Sequence, residues 1–286
     1  MSPTARPPPA ALPSAAAPTA ERRPGSAPGA VALPSEHGGW GLTAEPILLG
    51  LLVAPSVAGA LIGAAGVLAF LARTPLKVAL VDASRHRSLE RTALARRVAA
   101  AELTVLAVLV AGAVLTASSA FWVPGVVAAP LVGLELWFDM RSRSRRLAPE
   151  LAGAVGISAI CAMVVLAGGG GMALALGTGL VLAARVAASI PFIRRQVASL
   201  HGRSTPGWPL VVWDLVALAA AAVACVLDRS LVAGAVSVAV LIALQHLSAL
   251  RPAPRAVVLG VRQTVLGLGV VLVTWLGVLL GVPGAT

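Results

Sequence analysis

Charge is what this sequence has least of. Only 12% of its 286 residues are Asp, Glu, Lys or Arg, about half of what a soluble globular chain carries. With 58% hydrophobic residues and a mean hydropathy of +0.92, the chain reads as an integral membrane protein. Tyrosine is absent and aromatic residues make up 3%, so the aromatic belts are thin and the six tryptophans have to mark most of the interface. Lysine occurs once, at Lys77, leaving 21 of the 22 basic residues as arginine. The two cysteines, Cys161 and Cys225, fall inside apolar runs, where a thiol behaves as a small hydrophobe; no disulfide and no metal site is expected. The spacings of a P-loop, a haem ligand pair and a zinc site are all missing.

What charge there is leans one way, to a formal net charge of +11. A basic balance points to nucleic acid only when it lies on a solvated face, and here the charges punctuate apolar spans. Loops held on one side of a membrane account for them, and no nucleic-acid partner is expected. Residues 1–33 are rich in Pro, Ala and Ser, with no apolar run long enough for a signal-peptide core. They read as a disordered cytoplasmic tail, ahead of a transmembrane helical domain over 34–286.

The spans follow from where charges and turn residues interrupt the apolar sequence, since a helix needs about 20 residues to cross the hydrocarbon. The 27 residues between Glu45 and Arg73 are broken at Ala54-Pro55-Ser56, which predicts a short helix over 39–54 and a second over 57–80. The 32 residues between Glu102 and Glu135 are broken at Ser118-Ser119 and Pro124-Gly125, and the 34 between Glu150 and Arg185 at the four glycines 168–171. Three more spans fall over 209–227, 231–250 and 257–280. Nine helices result, an all-α polytopic bundle. Of the 22 basic residues only Arg229 lies on the side of the odd-numbered connections, which predicts an inside N-terminus and an outside C-terminus.

The chain is organised around Pro34–Pro46, which sets two carboxylates, an imidazole and an indole where the apolar sequence begins. Trp40 at headgroup level would leave Glu36 and His37 at the mouth of whatever the helices enclose, with Glu45 deeper; alternatively the segment only anchors the first helix. Arg73 and Lys77 are one turn apart, and Asp82 closes the same helix. An ionisable group within a membrane helix marks a site or a wet cavity, although Lys77 and Asp82 are placed to snorkel. Glu135 and Asp139 share a face of the fourth helix. Glu150 opens the fifth, where the dipole alone favours an acid. Arg185 is a second deep arginine, with Arg194 and Arg195 beyond Pro191. Glu102, Asp214, His246 and Arg262 complete the set, and Asp214 could pair with Arg262. This pattern predicts a polar cavity at the cytoplasmic ends of helices one, two, four and six. Within it, Arg73 and Arg185 would hold an anionic head by paired hydrogen bonds, or else pair with Glu45, Glu135 or Asp139. Glu36, His37, Arg73 and Asp82 are expected to converge.

The motifs Glu-His-Gly-Gly-Trp at 36–40, Arg-Thr-Pro-Leu-Lys at 73–77 with Asp82 downstream, Pro-Glu-Leu-Ala-Gly at 149–153 and Phe-Ile-Arg-Arg at 192–195 resemble the YwiC-like bacterial membrane proteins. The resemblance covers about residues 34–280 and implies a multi-pass protein of the bacterial cytoplasmic membrane, without implying a reaction. A remoter resemblance is to the UbiA-type intramembrane prenyltransferases. It implies a nine-helix arrangement and a transferase acting on a lipidic, isoprenoid-like anion, with magnesium held by acidic motifs after helices two and six. Here Asp82 lacks a second carboxylate four residues on, and Arg194 and Arg195 stand where the later acids would be, so the magnesium motifs are degenerate. Candidate catalytic residues are Glu36, His37 and Asp82. Candidate substrate-binding residues are Arg73, Lys77, Arg185, Arg194, Trp40, Glu45, Glu135 and Asp139, in contact with membrane lipid. The readings from other classes are a transporter of a small organic anion and a non-catalytic membrane subunit.

Overall fold

The computed structural model describes residues 37–86, 89–141 and 146–281. The expected tail, Glu36, and the side chain of His37 lie outside the described residues. Among the described residues nine α-helices follow one another: α1 (His37–Val53), α2 (Val57–Ser84), α3 (Glu90–Thr116), α4 (Val123–Met140), α5 (Leu147–Ala167), α6 (Met172–Leu200), α7 (Trp208–Leu227), α8 (Val232–Ala249) and α9 (Ala256–Leu280), with a 3-10 turn at Arg229–Leu231 before α8. No strand occurs among the described residues.

The breaks fall where the turn chemistry puts them. Ser56 caps α2, its hydroxyl accepting from the Gly59 N–H at 2.9 Å. Pro124 and Pro209 stand in the first turns of α4 and α7, where a missing N–H costs nothing. The four-glycine run ends α5, and Gly169 takes a φ of +86°, which an L side chain disfavours. A Cβ at Gly168 would collide with the Ala54 backbone, so the α5–α6 and α1–α2 connections meet at one end of the bundle.

Among the described residues eight helices are long and apolar enough to cross a bilayer, whereas in α1 the apolar stretch is only Gly39–Val53. That is about 22 Å of helix, short of a hydrocarbon layer about 30 Å thick. α1 is nonetheless the central piece, packed by α2, α5, α6 and α9, with Leu49 and Glu45 almost fully buried. Without a hydrophobic drive between helices in lipid, close approach depends on small residues. Gly50 faces Val164 and Gly63 faces Ile47, each too near to admit a Cβ. α6 joins the two halves: Leu182 packs with Leu49, Ile62 and Cys161, while Val181 and Ala188 pack with Ala217, Val238 and Leu241. α3 is peripheral and packs principally along α2.

The C-terminal ends of α2, α4, α6 and α8 lie at one end, together with nearly all described charges. At the other end the charged residues among the described ones are Asp228 and Arg229.

Candidate functional site

Two glycines show how the bundle makes room for charge. On α5, a Cβ at Gly153 would overlap the Glu135 carboxylate, and on α9 a Cβ at Gly267 would overlap both Glu45 and Arg185. Each gap holds an ion pair against a helix backbone.

The first pair lies between α2 and α4. Arg73 Nη2 is 2.8 Å from Glu135 Oε1 and its Nε donates to Asp139 Oδ2 at 3.1 Å, while Lys77 Nζ reaches the other Asp139 oxygen at 3.2 Å. Asp139 is buried, and its two cations sit one turn apart on α2. The bridging guanidinium matches two carboxylates at once, which a point-charge ammonium does not.

The second pair is deeper. Arg185 Nη2 lies 2.7 Å from Glu45 Oε1 and donates to the Gln263 carbonyl at 2.9 Å. Beside it Gln245 donates to Ser189 Oγ and to Gln263 Oε1. A buried polar network thus ties α1, α6, α8 and α9, and satisfies groups that would be costly unpaired in an apolar interior. Arg185 Nε is left buried without a partner.

A cavity of about 1090 Å³ opens at the basic end among α1, α2, α4, α5, α6 and α7. Its buried walls include Phe70, Gly153, Ala154, Ile190, Pro191 and Leu210, and its exposed rim includes Arg195, His201 and Arg203. Four arginines face two glutamates around it: Arg73 is held by Glu135, Arg194 by Glu150 at 2.8 Å, and Arg195 and Arg203 add the excess positive charge.

The residues singled out in the sequence are therefore divided. Arg73, Glu135, Glu150 and Arg194 line the cavity. Trp40 stands edge-on to Phe70, with ring centroids 5.2 Å apart, so it buttresses the wall. Lys77 and Asp139 stand behind Arg73. Arg185 and Glu45 belong to the deeper network and are not among the lining residues. Asp82 reaches toward α3, accepting from Thr92 Oγ1 at 2.6 Å with Arg91 at 3.5 Å, and so closes the α2–α3 hairpin, whereas Arg73 reaches Glu135 and Asp139 on α4. Asp214 pairs with His246 at 2.7 Å, not with Arg262. Among the described residues no three His, Cys, Asp or Glu side chains are grouped to hold a metal.

The sequence reading missed Ser189, Gln245 and Gln263, although glutamine inside an apolar helix is itself a signal. It also missed the loop after α6, where Arg203 and Thr205 reach the rim.

Fold and site together define a multi-pass helical membrane protein with a polar cavity at one end. Its residues 33–168 are YwiC-like: they match the family model described as YwiC-like protein, a span that takes in α1 to α5 and so carries Arg73, Glu135, Asp139 and Glu150. No curated protein and no solved structure matches the chain.

Proposed function

We propose that this protein sits in the bacterial cytoplasmic membrane with its basic end inward and binds a lipidic anion in the cavity, as an intramembrane transferase of the UbiA kind would. The single observation behind the reading is the cavity's division into a buried apolar wall and a rim of unequal charge. Phe70, Ile190 and Leu210 suit a hydrocarbon tail, and Arg195 with Arg203 suits a phosphate- or carboxylate-type head. Arg73 and Arg194 are already neutralised by glutamates, so they shape the wall and contribute hydrogen bonds more than net charge. Guanidinium, where the resembled enzymes use acids and magnesium, is the charge complement available at this rim.

A one-sided cavity favours this reading over transport of a small organic anion, which needs polar groups leading to both faces. Only Asp228 and Arg229 are charged at the far end among the described residues. The test is native mass spectrometry of the detergent-purified protein, with lipid analysis of a deletion strain. A co-purifying anionic lipid that is lost in Arg195→Gln/Arg203→Gln and accumulates or disappears in the deletion strain supports a transferase. Binding with no lipid change supports a non-catalytic subunit. A lipid profile identical in the wild type and the double variant overturns the site.

A further inference from the structure

The seam between α2 and α3 contains a carboxyl group that no ion pair explains. Residues Ala95, Ala99, Glu102, Leu106, Leu109 and Ala113 repeat at alternating spacings of three and four and are all among the less exposed positions of α3, as expected of a helix facing one neighbour. Glu102 is thus a seam residue turned toward α2. Its Oε2 is buried without a hydrogen-bond partner, and among the described residues no cation forms an ion pair with it. The charged groups of α2 nearest its level are engaged elsewhere: Arg73 and Lys77 reach across to Glu135 and Asp139 on α4.

The register of the hairpin shows what lies opposite. Thr92 meets Asp82 near one end, and Gly112 faces Leu61 near the other, so paired residue numbers sum to 173 or 174 at both. Glu102 therefore lies opposite Leu71 and Ala72. On α2 the same spacing that links Leu61 and Asp82 runs through Ala65, Ala72 and Pro75, all three buried. Pro75 has no N–H, so the Leu71 carbonyl loses the donor that would close its helical turn. The proline lies on the α3-facing side, so this orphaned acceptor is exposed to the seam, at the level of a carboxyl that lacks a partner.

We propose that Glu102 is a proton-binding site: it is held as the carboxylic acid, and its O–H donates to the Leu71 carbonyl left open by Pro75. One proton then satisfies both orphan groups. An ionised Glu102 would satisfy neither, because a carboxylate only accepts. The arrangement also braces α2 between Arg73 and Lys77, the two residues on either side of Pro75 that grip α4.

The experiment uses the full chain in lipid nanodiscs. An infrared difference spectrum between wild type and Glu102→Gln at neutral pH should show a protonated carboxyl band lost in the variant; loss of a carboxylate band instead overturns the proposal. Thermal unfolding supplies the partner test. Glu102→Gln, whose amide can donate, should unfold close to wild type, whereas Glu102→Leu should unfold a few degrees lower. In a Pro75→Ala background, where residue 75 regains its N–H, Glu102→Leu should cost nothing further. An equal cost in both backgrounds, or none in either, overturns the Leu71 assignment.

Discussion

Arg185 on α6 and Glu45 on α1 lie 2.7 Å apart with side chains 4% and 2% exposed, and the Gly267 backbone of α9 covers them. Removing one partner of such a pair leaves a buried charge uncompensated, at a cost of about 3–5 kcal/mol. Arg185→Gln and Glu45→Gln should each unfold well below wild type in a detergent melt. The apolar pair Arg185→Met/Glu45→Leu should recover most of the loss, since well-packed apolar replacements of buried ion pairs are often neutral. A double variant no more stable than the singles would show that the charges themselves are required.

Gly267→Ala should destabilise the protein through the same contact. Its methyl group would overlap two side chains with no room to retreat, an overpacking of about 1–3 kcal/mol. Gly260 and Gly269 are on the same helix, and a methyl group added at either would meet nothing within 4 Å. Both should tolerate alanine, and the comparison by thermal melt controls for helix propensity.

Arg73→Gln should lower stability by about 1–3 kcal/mol, because Glu135 and Asp139 would both lose the guanidinium that bridges them. Adding Glu135→Gln to Arg73→Gln should restore part of the loss. If the single variant folds as wild type yet no longer retains the bound lipid, Arg73 acts on ligand and not on its acids.

Arg194→Gln is expected to behave differently. Its pair with Glu150 is over a third exposed on each side, and such pairs contribute about 0–1 kcal/mol. The melt should barely move while lipid retention falls, so stability and binding separate at this residue.

The topology is checked by alkaline phosphatase fusions. A fusion after α9 should be active in intact cells and fusions after α2, α4 and α6 inactive, as the basic connections stay inside. An inactive C-terminal fusion would remove α1 as a membrane crossing and leave eight.

Helix boundaries were legible because their signals are local: Pro55-Ser56 and the glycines at 168–171 interrupt the chain wherever it folds. The intramembrane charges were legible too, because Arg185 or Asp139 in an apolar run is conspicuous. Their partners were not. Glu45 and Arg185 are 140 residues apart and Arg73 and Asp139 are 66, and residue type alone left ligand binding and mutual pairing equally open. Arg185 was expected beside Arg73 in one cavity; helix rotation, which a nearly uniform Ala, Val and Leu surface does not reveal, put it behind α1. The glycines that admit the carboxylates carry no signal until a neighbouring side chain is seen against them.

A short α1 with a carboxylate at its centre also constrains how the protein is made. While the ribosome adds the 140 residues from Glu45 to Arg185, roughly 7 to 30 s at ordinary elongation rates, the first segment is too short and too polar to rest stably in lipid. It must wait beside the insertion machinery until α6 arrives with its counter-charge. Chains truncated before Arg185 would then expose an unmatched acid in the bilayer, a mark by which membrane proteases could tell unfinished copies from complete ones.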